Sequence, residues 1–275
     1  MRFLFSTGSL WSYSVERCFA LAAQAGYDGL EILVDQRWET RQAAYLQQLV
    51  RQHGLSVWAI HSPFWPLVPG WPTTAAERVL ASRQLAQAVG ANVVVHHLPA
   101  RIGYTMLMWG NRLRPVPLPF NAERGYQHWL ETAYNLVQTE TDVRLCVENM
   151  PAWRKFGRRW NLYHWNHLEQ ITRFPHLTLD TTHLGTWGLE PVSVYPRLAG
   201  KVRHVHLSNF DGREHRRPET GHLRLDRFLA HLAATGYEGH VTIEVHPEVL
   251  DAGQSDAQVL TLMRRSLDFC RRAVQ

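Results

Sequence analysis

Thr74–His96 reads TAAERVLASRQLAQAVGANVVVH: a helical pattern over Thr74–Val89, a stop at Gly90, then a short β-rich run at Asn92–His96. A glycine closing a helix takes the left-handed backbone that turns the chain toward the next strand. The same unit recurs on both sides. Before it lie strand Arg2–Ser6, helix Ser14–Ala25 stopped by Gly26, strand Gly29–Val34, a helix around Arg41–His53 stopped by Gly54, and strand Leu55–His61. After it come a helix from about Ala122 to Glu140 and strands Val143–Glu148, Leu177–Asp180, Val202–His206 and Val241–Val245, with Gly236 before the last strand and a final helix at Ala257–Ala273. Strands alternating with helices imply a parallel sheet.

Eight such strands in 275 residues match a closed barrel, which forms one domain of about 250 residues. The reading is an α/β fold, a single (β/α)8 TIM barrel over residues 1–275. An open doubly wound sheet is disfavoured, because no glycine-rich phosphate loop follows the first strand. Three loops are long and rich in Pro, Trp and Arg: Ser62–Thr73, Leu98–Asn121 and Pro151–Asn166. Long loops on one side of a compact domain usually act as lids or binding loops.

The composition, 45% hydrophobic and 19% charged, is that of an ordinary globular protein. No apolar run approaches the 18 or so residues that span a bilayer, so no membrane association is expected. Met1–Phe5 carries one arginine and then turns polar, unlike a signal peptide, and the expectation is a cytoplasmic protein. Cys18, Cys146 and Cys270 are far apart and odd in number, which suits reduced thiols. The net charge of +5 suits a phosphorylated metabolite or a nucleic acid, though a modest excess spread over the surface affects solubility alone.

In a closed barrel, side chains two apart on a strand point the same way, and the last inward one sits at the catalytic face. Strands three to eight end in His61, His96, Glu148, Asp180, His206 and Glu244. Two residues earlier stand Ala59, Val94, Cys146, Thr178, His204 and Thr242, mostly small or apolar, as a filled interior needs. Three carboxylates converging in a confined mouth are very costly without compensation, so either their pKa values rise or a cation balances them. Oxygen-rich ligands with one or two imidazoles suit Mn²⁺, Zn²⁺, Co²⁺ or Mg²⁺.

The ordered set AAQAGYDGLEI, AIHSP, VVVHH, LCVENMP, LTLDTTHLGTWG, HVHLSNFDG and TIEVHPE resembles the xylose isomerase-like barrels. That superfamily includes sugar isomerases and epimerases and the apurinic endonucleases of the endonuclease IV type. The resemblance implies that Glu148, Asp180, His206 and Glu244 hold a shared metal, and that His61 and His96, with Glu148 as bridge, form a second site filled in the endonuclease branch. One or at most two metals per chain are expected. His183 and His215 match two of three ligands of that branch's third zinc. The third ligand should be an aspartate, and Arg213 stands there. The ketose epimerases are similar in placing an arginine in this loop, where with a histidine like His183 it grips substrate oxygens.

The expected activity is therefore a metal-dependent sugar isomerase or epimerase acting through an enediolate. Glu148 and Glu244 move the proton, and His183 and Arg213 orient the oxygens. His215, Trp65, Trp109 and Trp153 are expected to bind a sugar or sugar-phosphate substrate. Two alternatives stand beside it. One is a metal-dependent phosphodiesterase of the apurinic type, in which interleaved rings and cations stack bases and hold phosphates. The other is a non-catalytic barrel that binds a carbohydrate or a partner. His97, His204 and His246 read as neighbours of the site or core residues, without a ligand role.

Overall fold

The computed structural model describes residues 1–65, 67–109, 112–117 and 123–275. Eight parallel strands close on themselves: β1 (Arg2–Ser6), β2 (Gly29–Leu33), β3 (Val57–His61), β4 (Val93–His96), β5 (Arg144–Glu148), β6 (Leu177–Asp180), β7 (Val202–Leu207) and β8 (His240–Ile243). Closure is made by β1 against β8, with Arg2 beside His240 and Phe5 beside Ile243. The (β/α)8 reading holds.

Helices α1 (Val15–Ala25), α2 (Ala43–His53) and α3 (Ala75–Val89) each end on a left-handed glycine, at Gly26, Gly54 and Gly90. Ser14 and Thr74 open α1 and α3 by accepting the backbone N–H of Arg17 and Glu77. The single helix expected over 122–140 is two, α4 (Arg124–Thr132) and α5 (Tyr134–Thr139). The backbone breaks at Ala133 (φ −114°), and the buried Tyr134 ring packs against those of His96, Trp129 and Phe174. There follow α6 (Leu168–Ile171), α7 (Thr181–Trp187), α8 (Pro191–Leu198), α9 (Leu225–Ala234) and α10 (Asp256–Ala273).

Two cores result. The larger lies between the barrel and its helices and includes Phe5, Phe19, Leu30, Ile60, Val94 and Phe228. The smaller fills the barrel interior with Leu4, Ala59, Val93, Val95 and Cys146. At the end opposite the strand termini, Trp58 packs against this interior cluster, and the Arg2 guanidinium lies 4.2 Å from its ring. A side chain at Gly29 would meet Trp58 Cδ1 at 2.3 Å, so only glycine lets the indole close that end.

Two of the long loops fold into antiparallel hairpins, Tyr104–Trp109 with Arg112–Pro117 and Trp153–Lys155 with Arg158–Trp160. They are joined at their bases. Arg101 N donates to Leu162 O at 2.7 Å, and His164 N to Pro99 O at 2.9 Å. The second hairpin pairs Arg154 with Arg159 and Lys155 with Arg158. At its tip, Phe156 is 90% exposed. No helix among the described residues is long and apolar enough to cross a membrane.

Candidate metal centre

The strands deliver their ends to one place. Glu148 ends β5, Asp180 ends β6, His206 lies on β7, and Glu244 follows β8 directly. Register sets Asp180 beside His206 across the ladder. His206 Nδ1 lies 3.0 Å from Glu148 Oε1, 3.1 Å from Glu244 Oε2 and 3.9 Å from Asp180 Oδ2. One ligand atom from each of the four lies within 4.8 Å of all the others. Asn149 clamps the β5 and β6 ends together: Asp180 N donates to its Oδ1 at 2.8 Å, and its Nδ2 donates to Asp180 O at 3.1 Å.

The electrostatics of this cluster follow from buried carboxylates packed around one imidazole. Burial, then the nearby Glu148 charge, raises the Asp180 carboxyl well above the ordinary range. Burial opposes ionisation of Glu148 as well, but His206 beside it carries it well below that range. The same imidazole, against burial, brings Glu244 down to about 2. Burial would lower His206 itself, but Glu31, Glu244 and Glu148 raise it far above its ordinary value. The His206 imidazole thus sits among carboxylates that favour its charged form, and His61, against burial, is raised by the same Glu148. Asp180 Oδ2 is buried without a hydrogen-bond partner, and such atoms are rare in folded proteins. This donor set of three carboxylates and an imidazole fits a divalent ion.

A second group adjoins the first. His61 Nδ1 donates to Ser62 O at 2.8 Å, which leaves Nε2 facing Glu148 Oε2 at 3.5 Å. His97 Nε2 lies 3.2 Å from the same oxygen. His97, and not the expected His96, completes this group. On β4 the inward residues are Val93 and Val95, so His96 faces the helices and His97 the mouth. His96 Nδ1 donates to the Tyr126 hydroxyl at 2.7 Å, and burial pushes its pKa down to about 3. The Phe64 ring, which the sequence reading passed over, stacks on His97 at 5.5 Å.

A third group joins Asp180, His183 and His215. Asp180 caps α7, its Oδ1 accepting His183 N at 2.8 Å, and this places the His183 ring beside the centre. His183 Nδ1 donates to Asn149 O at 2.7 Å. His215, in a left-handed backbone (φ 55°), packs its ring 5.7 Å from that of His183. Arg213 is not with them. Its side chain is 66% exposed and pairs with Asp211 at 3.3 Å. The neighbouring Glu214 turns in instead, its Oε2 3.9 Å from His183 Nε2.

Of the expected substrate-binding tryptophans, Trp65 packs partly buried against the core, and Trp153 sits exposed on its hairpin under the Lys155 ammonium, 5.0 Å from the ring. The side chain of Trp109 lies outside the described residues. The sequence reading also missed Glu31. Glu31 lies on β2, outside the strand ends of β3 to β8, fully buried and aimed inward at His204 and His206. The GLEIL run held the signal, a single carboxylate inside an otherwise apolar strand.

A parallel eight-stranded barrel with a carboxylate–imidazole centre at its strand ends defines the class. Residues 19–273 match the xylose isomerase-like TIM barrel family, and the chain belongs to it. An uncharacterized protein of Mycobacterium leprae (strain TN) is 24% identical over 296 residues, covering 97% of this chain and 95% of that one. One from Mycobacterium tuberculosis (strain H37Rv) is 23% identical with the same coverage. Among solved structures, a D-tagatose 3-epimerase-like protein superimposes over the whole of both chains with a TM-score of 0.65 at 17% identity. D-allulose 3-epimerase from Methylomonas sp. gives 0.67 at 14%, covering 99% of this chain and 98% of that one. The 3-keto-D-glucoside 4-epimerase of E. coli gives 0.66 at 17%, with 99% of each chain covered. These neighbours share the fold.

Proposed function

We propose that this protein is a metal-dependent sugar isomerase or epimerase. The observation that carries the reading is the convergence of Glu148, Asp180, His206 and Glu244 on one point, with the buried Asp180 Oδ2 there without a hydrogen-bond partner. Those four residues would hold a divalent ion, which when bound polarises the substrate's carbonyl as a Lewis acid. Glu148 and Glu244 supply the proton chemistry. A carboxylate on one face of the substrate removes the proton from the carbon beside the carbonyl, leaving an enediolate. Delivery of a proton from the other face inverts that carbon. Both carboxylates rest ionised, so the delivering one must first collect a proton. The Glu244 side chain is 17% exposed and that of Glu148 1%, which makes Glu244 the one in exchange with water. His183 donates through Nδ1 to Asn149 O, and its Nε2, which faces Glu214 Oε2 at 3.9 Å, is the nitrogen that would meet a substrate oxygen. The sugar epimerases among the solved neighbours agree with this substrate class.

The test is a panel of ketoses and ketose phosphates incubated in D2O with the Mn²⁺-loaded protein. Deuterium should appear at the carbon next to the carbonyl, and Glu148→Gln or Glu244→Gln should abolish it. A panel that takes up no deuterium overturns the reading.

A second reading, phosphodiester hydrolysis, is favoured by the groups His61–His97–Glu148 and Asp180–His183–His215 beside the centre, with Glu214 Oε2 3.9 Å from His183 Nε2. Three zinc ions per chain, with cleavage of an abasic duplex, would move the assignment there.

A further inference from the structure

Glu31 comes from β2, a strand that gives the centre no ligand, yet it reaches across the barrel interior to the centre's imidazole. Its Oε1 lies 3.1 Å from His206 Nε2. Its Oε2 accepts from His204 Nε2 at 2.7 Å and from the Thr242 hydroxyl at 3.2 Å, and lies 3.2 Å from His206 Nε2. All four residues are fully buried, so no water competes for these contacts. The two nitrogens of His206 therefore face carboxylates on opposite sides: Nε2 faces Glu31, while Nδ1 faces Glu148 and Glu244.

We infer that Glu31 is the positioning residue of this centre, holding His206 as the tautomer whose Nδ1 lone pair is offered to a cation. A neutral imidazole has one N–H and one lone pair. With Glu31 present, Nε2 has a carboxylate to donate to, and Nδ1 is left to coordinate. Without it, the nearest carboxylates among the described residues are Glu148 and Glu244 on the Nδ1 side, and the N–H moves to Nδ1 to meet them. The ring then blocks the ligand position it should fill. Thr242 and His204 keep the Glu31 carboxylate from swinging toward the mouth, where it would become a fifth ligand. Partners of this kind on the far nitrogen of a ligating histidine set metal affinity.

The inference rests on the reading that the four-residue group binds a metal, and the experiment separates the two. Mn²⁺ is titrated calorimetrically into metal-stripped wild type, Glu31→Gln and Thr242→Val, and the Co²⁺-loaded forms are compared by visible absorption. Glu31→Gln should bind Mn²⁺ about 10- to 100-fold more weakly and shift the Co²⁺ bands. Thr242→Val, which frees only one corner of the carboxylate, should weaken binding less and keeps the test alive if Glu31→Gln does not fold. Glu31→Asp should recover part of the affinity. Wild type that binds no Mn²⁺ would overturn the metal reading and this inference with it. Wild type that binds, with folded variants equal to it in affinity and spectrum, would overturn the role of Glu31 alone.

Discussion

His96 and His97 are neighbours in sequence and opposite in role, and the difference is one residue of strand parity. His97 meets Glu148 in the mouth, while His96 donates to Tyr126 under the helices. Mn²⁺ titration should therefore show a second, weaker binding event in wild type that His97→Asn loses while the first survives. His96→Asn should keep both events and lower the melting temperature, because the buried His96–Tyr126 hydrogen bond is lost. The Glu148, Asp180, His206 and Glu244 positions were legible, since each is a polar residue ending a strand that is apolar one face at a time. The parity of β4 was not. In VVVHH the three valines suit either face, and nothing in the run says which histidine turns inward. Arg213 misled for a related reason: a loop residue has no alternation to fix its direction, and Glu214 turned in instead.

At the scale of elements, the strands were read within a residue or two, because β-branched runs between helix-ending glycines leave little freedom. Helix α7, absent from the sequence expectations, begins on Asp180 itself, a residue of the candidate metal centre, whose Oδ1 caps it. One carboxylate serves both ends, its Oδ1 capping the helix and its Oδ2 facing the centre, and the sequence marks only one of these uses. The long loops gave no sign of folding into hairpins, since nothing in them alternates cleanly. Excising Arg154–Arg159 and joining Trp153 to Trp160 through two glycines removes exposed residues only. Surface changes of this kind usually cost about 0.5 kcal/mol or less, so the melting temperature should move by roughly 2 °C at most. A rise in KM with kcat unchanged would show that the hairpin binds substrate, and loss of folded protein would show that it is structural.

The whole barrel carries a pH signature set by histidines that are buried neutral. His96 and His240 are both pushed down to about 3, in each case chiefly by burial. In the unfolded chain they titrate near 6.5, so the unfolded state binds more protons as pH falls below that value. Stability is complete above about 6.5 and drains away toward about 3, by up to about 5 kcal/mol for each histidine. His206 acts in the other direction. Its raised pKa stabilises the metal-free fold below its ordinary value, and that contribution is lost as pH rises through the folded pKa. Urea denaturation of the metal-stripped protein should thus show stability falling from pH 6.5 to 4. His240→Gln should flatten that slope, and an unchanged slope would assign the acid lability to other groups.

The hairpin at Trp153–Trp160 holds one further consequence. Two of its three rungs set cation against cation, and the stretch from Asn149 to Leu168 has no acidic residue to answer them. Like charges facing across a strand pair push the strands apart, and dissolved ions screen that push within about 10 Å at 0.1 M salt. This ribbon should therefore behave as a salt gauge, splayed in dilute buffer and zipped in concentrated buffer, against the usual trend for surface charges. Trypsin cutting after Lys155 or Arg158 should slow as sodium chloride is raised, relative to a neutral peptide cut by the same enzyme in the same buffers.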